Sequence, residues 1–381
     1  MSLSTNSPSP TTLDEERVMV ALSGGVDSAV SAYQLQRAGF AVDAIFMKNW
    51  EEDDTSEYCS AAEDLADAER VCERLGLSLR TVNFATEYWE RVFERFLAEY
   101  RIGRTPNPDV WCNREIKFRE LYDFLTDIGQ EQIATGHYAR VSQSQTGYQL
   151  LKGLDADKDQ TYFLYTIGQA ELARVRFPIG EMTKQEVRAV AHAAGLANHD
   201  KKGSTGICFI GERPFRAFLS QYIQPAPGPM RTPEGQHVGE HQGLAFYTLG
   251  QRQGLGLGGA RGGDGQPWYV VDKHIGEETL IVAQGREHPL LYSAGLSATE
   301  ASWVAGDPPS EKFSASAKTR YRQDDTPCIV TVTEEGFDVG FEHPQWAVTP
   351  GQSVVLYQGD VCIGGGVIDA RHRALSRTSN V

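Results

Sequence analysis

The residues best suited to chemistry form one short stretch near the start of the chain, Ser23-Gly24-Gly25-Val26-Asp27-Ser28. An apolar run precedes it and a helical pattern follows it, so we expect the order strand, glycine turn, helix. Glycines let the backbone approach an anion closely, and a helix N-terminus offers unpaired N–H groups with a partial positive charge. Ser23 and Ser28 add hydroxyl donors, and Asp27 could hold a magnesium ion that bridges phosphates. The stretch therefore predicts a phosphate-binding loop.

A Walker-type loop and an ordinary turn are the two other interpretations of this stretch. The loop has no lysine and the chain has no G-x-x-x-x-G-K-[ST] pattern, which excludes a Walker-type loop. An ordinary strand–turn–helix corner, with Ser or Asp as N-cap, would carry similar residues. We favour the phosphate loop because the flanking elements fit it.

Cysteines are the second candidate group. They stand at positions 59, 72, 112, 208, 328 and 362, and no two of them form a C-x-x-C pair. This spacing suggests neither a zinc site nor the disulfide framework of a secreted protein. Taken alone, Cys112 and Cys208 would each more often be a small buried hydrophobic residue than a reactive thiol. Thiol chemistry would need cysteines that folding brings together.

Composition limits the class of protein. The chain has 381 residues, 40% of them hydrophobic and 23% charged, which predicts a soluble globular protein of two or three domains. No apolar run approaches the length of a membrane span, and residues 1–16 lack the pattern of a signal or transit peptide. We expect a cytoplasmic protein with a disordered leader. The net charge of −15 argues against non-specific nucleic-acid binding but leaves room for a local basic groove.

The elements that must position these residues follow from periodicity. Strands alternate with helices to about residue 140, which predicts a doubly wound α/β domain with a parallel sheet. Ligands of such sheets lie beyond the carboxyl ends of the strands, where the loop lies. After a proline-rich stretch at 225–233, short strands separated by turn residues predict β structure. We expect a leader at 1–16, a catalytic domain at 17–210, a small β-rich domain at 211–284 and a C-terminal β-barrel at 290–381.

Several local predictions are specific enough to test. An aromatic stripe from Trp89 to Tyr100 should be core on one face of a helix. We expect a helix from about Arg114 to Asp127, a strand over 132–139 and a hairpin over 138–153. The segment 157–160 looks too polar for a core. Thr183 with Glu186 should cap a further helix.

Longer motifs narrow the interpretation to one family. The loop resembles the pyrophosphate loop of the ATP pyrophosphatase superfamily, which splits ATP between the α and β phosphates. Together with other ordered stretches, it resembles the tRNA-specific 2-thiouridylase family over about residues 17 to 370. The stretches that carry this resemblance are Ser23–Ser28, Met47–Trp50, Asn107–Phe118, Thr135–Arg140, Asp157–Tyr162, Ser204–Gly211, Tyr247–Arg252, Lys318–Gln323 and Ala347–Gln352.

The resemblance implies a sulfurtransferase that replaces the C2 oxygen of the wobble uridine of tRNA with sulfur. ATP, with Mg²⁺, would adenylate that oxygen and release pyrophosphate. The position of Cys208 would carry a persulfide, and the position of Cys112 would release the sulfur by forming a disulfide with it. Asp109 is the candidate acid or base. The partners would be the anticodon region of Glu, Gln and Lys tRNAs and a persulfide donor or relay protein.

The resemblance also carries over binding positions. ATP contacts are implied for Ala21, Leu22, Ser23, Gly24, Gly25, Val26, Asp27, Ser28, Met47 and Gly136. Asn107, Pro108 and Asp109 would hold the target base, while His137, Lys158, Asp159, Gln160, Arg320, Tyr321 and Gln352 would contact tRNA. We expect a basic groove built by Lys117, Arg119, Lys158, Lys201, Lys202, Arg320 and Arg322.

Three alternatives remain open at the level of sequence. Asp109 stands where some relatives have a cysteine, so we favour a persulfide over an iron–sulfur cluster, although Cys112, Cys208 and one further ligand could hold a cluster. Another pyrophosphate-loop ligase, acting on a small molecule, would use the loop but leave both cysteines unexplained. A non-catalytic tRNA-binding or sulfur-relay protein would bind ATP without hydrolysing it.

Overall fold

The computed structural model describes residues 16–51, 60–201, 214–257 and 265–373. The first seven strands are β1 (Arg17–Ala21), β2 (Ala41–Lys48), β3 (Leu79–Asn83), β4 (Ile133–Ala134), β5 (Ala139–Ser144), β6 (Gly147–Lys152) and β7 (Val175–Arg176). Five of them form a parallel sheet in the order β3-β2-β1-β4-β7. The predicted doubly wound α/β domain is confirmed.

Helices cover both faces of this sheet. They are α1 (Val26–Arg37), α2 (Ser60–Leu75), α3 (Ala85–Tyr88), α4 (Glu94–Arg101), α5 (Pro108–Trp111), α6 (Leu121–Asp127), α7 (Gln169–Leu172), α8 (Lys184–Ala193) and α9 (Phe215–Leu219). Alternate side chains of a strand point to opposite faces. Accordingly, Val18 and Val20 of β1 pack with α1, α2 and α8, whereas Met19 and Ala21 pack with α3 to α6. Both faces are apolar, as a buried parallel strand requires.

Two helical segments contain π turns. Trp89–Phe93 joins α3 to α4, and Cys112–Glu120 joins α5 to α6. The aromatic stripe lies in the first of them and in α4, and Phe93 and Phe96 are fully buried, so its assignment to the core is confirmed. The second helical stretch begins at Pro108 and not at about Arg114, because proline is tolerated at the first position of a helix.

The predicted hairpin is present, but it serves a second domain as well. β5 pairs with β6 in antiparallel register, and β6 pairs with the last strand of the C-terminal barrel through Val361 and Cys362. The strand predicted over 132–139 is shorter, since only Ile133–Ala134 pairs in the sheet. The chain after it turns away to begin the hairpin.

The C-terminal half is β structure, as expected. The strands are β8 (Gly228–Arg231), β9 (His237–His241), β10 (Trp268–His274), β11 (Thr279–Gln284), β12 (Tyr292–Trp303), β13 (Lys312–Lys318), β14 (Thr326–Val332), β15 (Gly336–Trp346), β16 (Ser353–Gln358) and β17 (Val361–Arg373). A four-stranded sheet in the order β10-β11-β8-β9 is followed by six strands that close into a barrel, because β12 pairs with both β15 and β17. None of the helices in the described ranges is long and apolar enough to cross a membrane.

One residue of the segment 157–160 is in the core after all. Asp159 is 3% exposed, and its Oδ1 accepts hydrogen bonds from Gly153 N at 3.1 Å and from Thr161 Oγ1 at 2.8 Å. Lys318 of the barrel lies 3.4 Å from its other oxygen. A buried carboxylate is tolerated when donors and a cation surround it. Asp159 therefore ties the catalytic domain to the barrel.

We predict that Asp159→Ala destabilises the protein by about 3–5 kcal/mol, because it leaves buried donors without their acceptor and removes one of the two carboxylates beside the Lys318 ammonium. The shift in thermal unfolding measures this effect. Asp157→Ala, on the exposed part of the same segment, is the matched control and should leave the midpoint almost unchanged. Equal midpoints for both variants would contradict the structural role of Asp159.

Candidate active site

The loop between β1 and α1 takes the shape that the sequence predicts. Gly24 has φ of +72°, a left-handed conformation that glycine adopts without strain. A Cβ at this position would also lie 2.4 Å from the carbonyl oxygen of Asp64, so the neighbouring backbone leaves no room for a side chain. Both constraints require glycine, and they bring the loop backbone close to the segment that begins α2.

The two serines of the loop have different positions. Ser28 is buried, and its hydroxyl accepts from Ser23 N at 3.2 Å and donates to Gly25 O at 3.1 Å. Its hydroxyl therefore closes the loop on itself. Ser23 is exposed at the mouth of the loop, where its Oγ lies 3.3 Å from that of Ser28.

Asp27 is held by two residues that lie far from it in the sequence. Tyr138 Oη donates to Asp27 Oδ1 at 2.8 Å, and Lys184 Nζ lies 2.7 Å from both carboxylate oxygens. Burial, followed by the adjacent carboxylate, raises the pKa of Tyr138, so its phenol remains a donor. The loop itself lacks a lysine, and the fold supplies one from the first turn of α8.

Lys184 is not among the site residues that the sequence predicts. The available signal was the capping box of Thr183 and Glu186, which the structure confirms as the start of α8. That signal locates a helix start at Lys184 but does not reveal which loop faces it. Only the packing of α8 beside α1, on the same face of the sheet, brings the ammonium to Asp27.

The other residues expected to contact ATP surround this loop. A Cβ on Gly136 would lie 2.6 Å from Ser28 N, so glycine is needed there for the chain after β4 to pass the loop. Met47 is the penultimate residue of β2 and is partly buried. Ala21 and Leu22 are buried at the end of β1, whereas Gly25 and Asp27 are partly exposed. These residues meet at the carboxyl edge of the sheet.

A cavity of about 410 Å³ lies between the three domains. Its volume is that of a small-molecule pocket. It is lined by Tyr100, Thr105, Pro106, Asn107, Pro108, Asp109, Tyr162, Phe163, Phe215, Thr248, Tyr321 and Gln352. All three residues expected to hold the target base are among them. The aromatic side chains offer surfaces on which an unstacked base can lie.

Asp109 is the candidate acid or base of this cavity. Burial raises the pKa of its carboxyl, and the charge of Lys117 acts in the opposite direction. A carboxylate with a raised pKa takes up a proton more readily than an ordinary aspartate. The site therefore favours proton transfer at Asp109.

Cys112 lies one helical turn after Asp109, at the start of the π segment Cys112–Glu120. Its side chain is buried and only 1% exposed. Cys208 lies outside the described residues, so the predicted meeting of the two cysteines stays a prediction.

Hydrogen bonds connect the phosphate loop to the helix of Cys112. Tyr138, whose phenol binds Asp27, donates its backbone N–H to Gln160 Oε1 at 2.9 Å. Phe163 N donates to Gln160 O at 2.9 Å, and Asn113 Nδ2 donates to Phe163 O at 2.9 Å. Asn113 also accepts from Lys117 Nζ at 2.9 Å. The two parts of the site are thus held in one connected arrangement.

His137 is an internal residue in this structure. It is 9% exposed, and its Nδ1 lies 2.8 Å from Thr135 Oγ1. Burial, and then the charge of Lys117, lower its pKa well below the usual value, so the imidazole is neutral. It packs between Phe118 and Phe177. A tRNA could contact His137 only at the small part of its surface that is exposed.

Three residues of the C-terminal barrel that were expected to contact tRNA lie close to the cavity. Gln352 Nε2 donates to Thr105 O at 2.9 Å and to Pro106 O at 3.1 Å. Arg320 donates to the carbonyl oxygens of Leu249 and Ala347, both at 2.9 Å. Tyr321 packs against Phe163 with ring centroids 4.5 Å apart. Gln352 and Arg320 thereby hold loops from three parts of the chain around the cavity.

The predicted basic groove is only partly available for RNA. Lys201 pairs with Asp64 and Asp67, and Arg119 pairs with Glu115 at 3.0 Å. Arg320 is bonded internally, and Lys202 lies outside the described residues. Arg322 is exposed and Lys158 is half-exposed. The groove stays a prediction, with these two as its clearest candidates.

Comparisons with known proteins find matches along most of the chain. Family models match residues 16–212 as a tRNA methyl transferase HUP domain, 216–284 as a tRNA methyl transferase PRC-barrel domain and 293–368 as an aminomethyltransferase beta-barrel domain. A solved structure of the U34-tRNA thiolase NcsA from Methanococcus maripaludis with its [4Fe-4S] cluster is 19% identical, covers 55% of this chain and 66% of its own, and has a TM-score of 0.36, too low to support an argument.

The curated relatives are far more similar. The tRNA-specific 2-thiouridylase MnmA of Methylococcus capsulatus is 58% identical over 94% of this chain and 98% of its own length. The proteins of the same name from Idiomarina loihiensis and Yersinia enterocolitica are 55% and 56% identical over 93% and 94% of the chain and 96% of their own lengths. With this identity over nearly the whole length, and with the phosphate loop beside the cavity, the chain belongs to the tRNA-specific 2-thiouridylase family.

Proposed function

We propose that this protein catalyses the ATP-dependent 2-thiolation of the wobble uridine of tRNA. The observation that carries the proposal is the position of the phosphate loop and of the aromatic cavity with Asp109 along one bonded edge of the catalytic domain. This arrangement suits a reaction in which a nucleotide and a base must meet. The proposed substrate is the anticodon region of Glu, Gln and Lys tRNAs, and the proposed compartment is the cytoplasm.

ATP would bind with its β and γ phosphates in the loop and its adenine near Met47 and Gly136. Backbone N–H groups at the start of α1 and the Lys184 ammonium would face the phosphates. Asp27 suits Mg²⁺, because this ion commonly takes one carboxylate and completes its six ligands with phosphate oxygens and water. When bound, Mg²⁺ would neutralise phosphate charge. Lys184 pairs with Asp27 in this structure and would add a positive charge beside the phosphates.

The first chemical step is adenylation. The uridine C2 oxygen attacks the α phosphorus of ATP, pyrophosphate leaves, and the proton on N3 passes to Asp109 as the C2–O bond becomes single. The raised pKa of Asp109 suits it to accept this proton. Phe163 and Tyr321, which are partly exposed, would stack on the base. The poor leaving group of the carbonyl is thereby converted into AMP.

The second step transfers sulfur. The terminal sulfur of a Cys208 persulfide attacks C2, and AMP leaves with the original oxygen. The Cys112 thiolate then attacks Cys208 Sγ, so the S–S bond to the transferred sulfur breaks, the base is released as 2-thiouridine and N3 regains its proton. A Cys112–Cys208 disulfide remains. An external thiol reductant must reduce it, and a persulfide donor or relay protein must recharge Cys208, before the next turnover.

Sulfur incorporation into an unmodified glutamate tRNA transcript tests this function. The assay contains ATP, Mg²⁺ and a persulfide donor and compares wild type with Cys112→Ser and Cys208→Ser. We expect 2-thiouridine with wild type only. Cys72→Ser, at a buried cysteine of α2 outside the cavity, is the matched control and should retain activity.

Other results would select the alternative functions. Pyrophosphate release that does not depend on tRNA, without incorporation of sulfur, would indicate a small-molecule ligase. ATP binding without release of pyrophosphate in the presence of tRNA would indicate a non-catalytic binding or relay protein. Activity only after anaerobic reconstitution with iron and sulfide would replace the persulfide with a cluster.

We predict that Asp109→Asn lowers kcat by about 10²- to 10⁴-fold, the usual contribution of a general base. In wild type, activity should fall with decreasing pH as Asp109 becomes protonated. Since burial raises its pKa, this acid limb should lie above the ordinary aspartate value of about 3.9. A profile of kcat/KM against pH measures it. An unchanged acid limb in the Asp109→Asn protein would assign the proton transfer to another group.

We predict that Lys184→Met weakens ATP binding by about ten- to hundredfold, the cost of one charge-assisted hydrogen bond. Titration calorimetry with ATP measures this loss. Gln185→Ala, at the exposed next position of α8, is the matched control. Equal ATP affinity in Lys184→Met and wild type would mean that Lys184 serves only as the structural partner of Asp27.

A further inference from the structure

Asn198 binds the phosphate loop from the far end of the segment that follows α8. It is 4% exposed, and its Nδ2 donates to Gly24 O at 3.0 Å. The amide orientation is settled because a carbonyl oxygen can only accept a hydrogen bond. Its Oδ1 is buried without a hydrogen-bond partner in the part of the chain that the structure describes. Burying the Oδ1 atom without a hydrogen bond costs free energy of folding, so the presence of asparagine here calls for an explanation in its other contact, the hydrogen bond to Gly24 O.

That contact sets the direction of one backbone N–H in the loop. In a planar trans peptide the C=O and the next N–H point in opposite directions. Because Gly24 O points toward Asn198, the N–H of Gly25 points away from it. Gly25 is the N-cap residue of α1, and its N–H binds no other group among the described residues. This N–H is thus available to an anion at the helix start.

Without Asn198 this peptide would have a second orientation. Glycines on both sides of a peptide permit the plane to rotate, since neither carries a Cβ that would clash. Rotation would turn the Gly24 oxygen toward the phosphates and replace a donor with a repulsive acceptor. One segment therefore holds the loop at two points, through Lys184 at Asp27 and through Asn198 at Gly24.

We propose that Asn198 is a positioning residue that orients the Gly24–Gly25 peptide for the pyrophosphate part of ATP. This inference rests on the proposed use of ATP. Asn198 touches no reacting atom and acts through the Gly25 N–H. Its effect should appear in ligands that carry the β phosphate and be absent from those that lack it.

The test compares the affinities of inorganic pyrophosphate and AMP in Asn198→Leu, Asn198→Ala and wild type by calorimetry. Leucine has nearly the shape of asparagine and removes the unsatisfied oxygen along with the donor. We expect both variants to bind pyrophosphate about tenfold more weakly, as loss of one oriented hydrogen bond implies, with AMP affinity unchanged. Gln36→Ala is the matched control, because Gln36 Nε2 donates to Leu75 O at 3.0 Å in the same domain.

The outcomes separate this inference from the proposed function. Pyrophosphate and AMP affinities that fall together, or that both stay at the wild-type value, would overturn the role of Asn198. A wild type that binds neither ATP nor pyrophosphate would overturn the proposed function and this inference with it. Hydrogen exchange in wild type gives a test that needs no variant. Exchange in the peptide containing Gly25 should slow with pyrophosphate and not with AMP, and unchanged exchange with pyrophosphate would contradict the inference.

Discussion

The site depends on the bonds that the Asp27 carboxylate makes to Tyr138 and Lys184. The carboxylate lies in the first turn of α1, and it is bound by Tyr138 from the chain after β4 and by Lys184 from α8. A partly buried carboxylate is stable there only because a cation and a phenol meet it. These bonds align the loop with the strand edge. They also place the Lys184 ammonium at the start of α1, where it would favour an anion.

A second constraint is the way in which the β-rich domains form one wall of the cavity. Thr105 N donates to Pro350 O, and Gln352 binds the same loop, so the barrel closes the wall that carries Asn107 and Asp109. Arg320 of the barrel also binds the central domain, by a hydrogen bond to the carbonyl oxygen of Leu249. Burial raises the pKa of Asp109, and all three domains line the cavity that contains it. In the proposed reaction the β-rich domains would therefore contribute through the environment that they create, even though the phosphate loop belongs to the first domain.

Sequence patterns predicted what is local and missed what depends on packing. The loop, the parallel sheet and the capping box at Thr183 follow from glycine placement, strand periodicity and helix signals within a few residues of each other. Lys184, Asn198 and the bond of Asp159 to Lys318 could not be found in this way, because each of these contacts joins residues that are distant in the chain. Asp159 also looked too polar for a core, since the pattern does not reveal that Lys318 and Thr161 would meet it. The helix start at Pro108 was not predicted, because the two prolines at 106 and 108 were interpreted as a break in the pattern. Proline is nevertheless tolerated at the first position of a helix.

In the proposed reaction, adenylation activates the C2 oxygen of the wobble uridine, and this oxygen leaves with AMP. The transfer can be tested with a tRNA transcript that carries ¹⁸O at C2 of that uridine, treated with ATP, Mg²⁺ and a persulfide donor. Mass spectrometry of the released AMP then follows the oxygen. We expect one ¹⁸O in the phosphate of each AMP formed with 2-thiouridine. Unlabelled AMP accompanied by ¹⁸O in water or in pyrophosphate would contradict it.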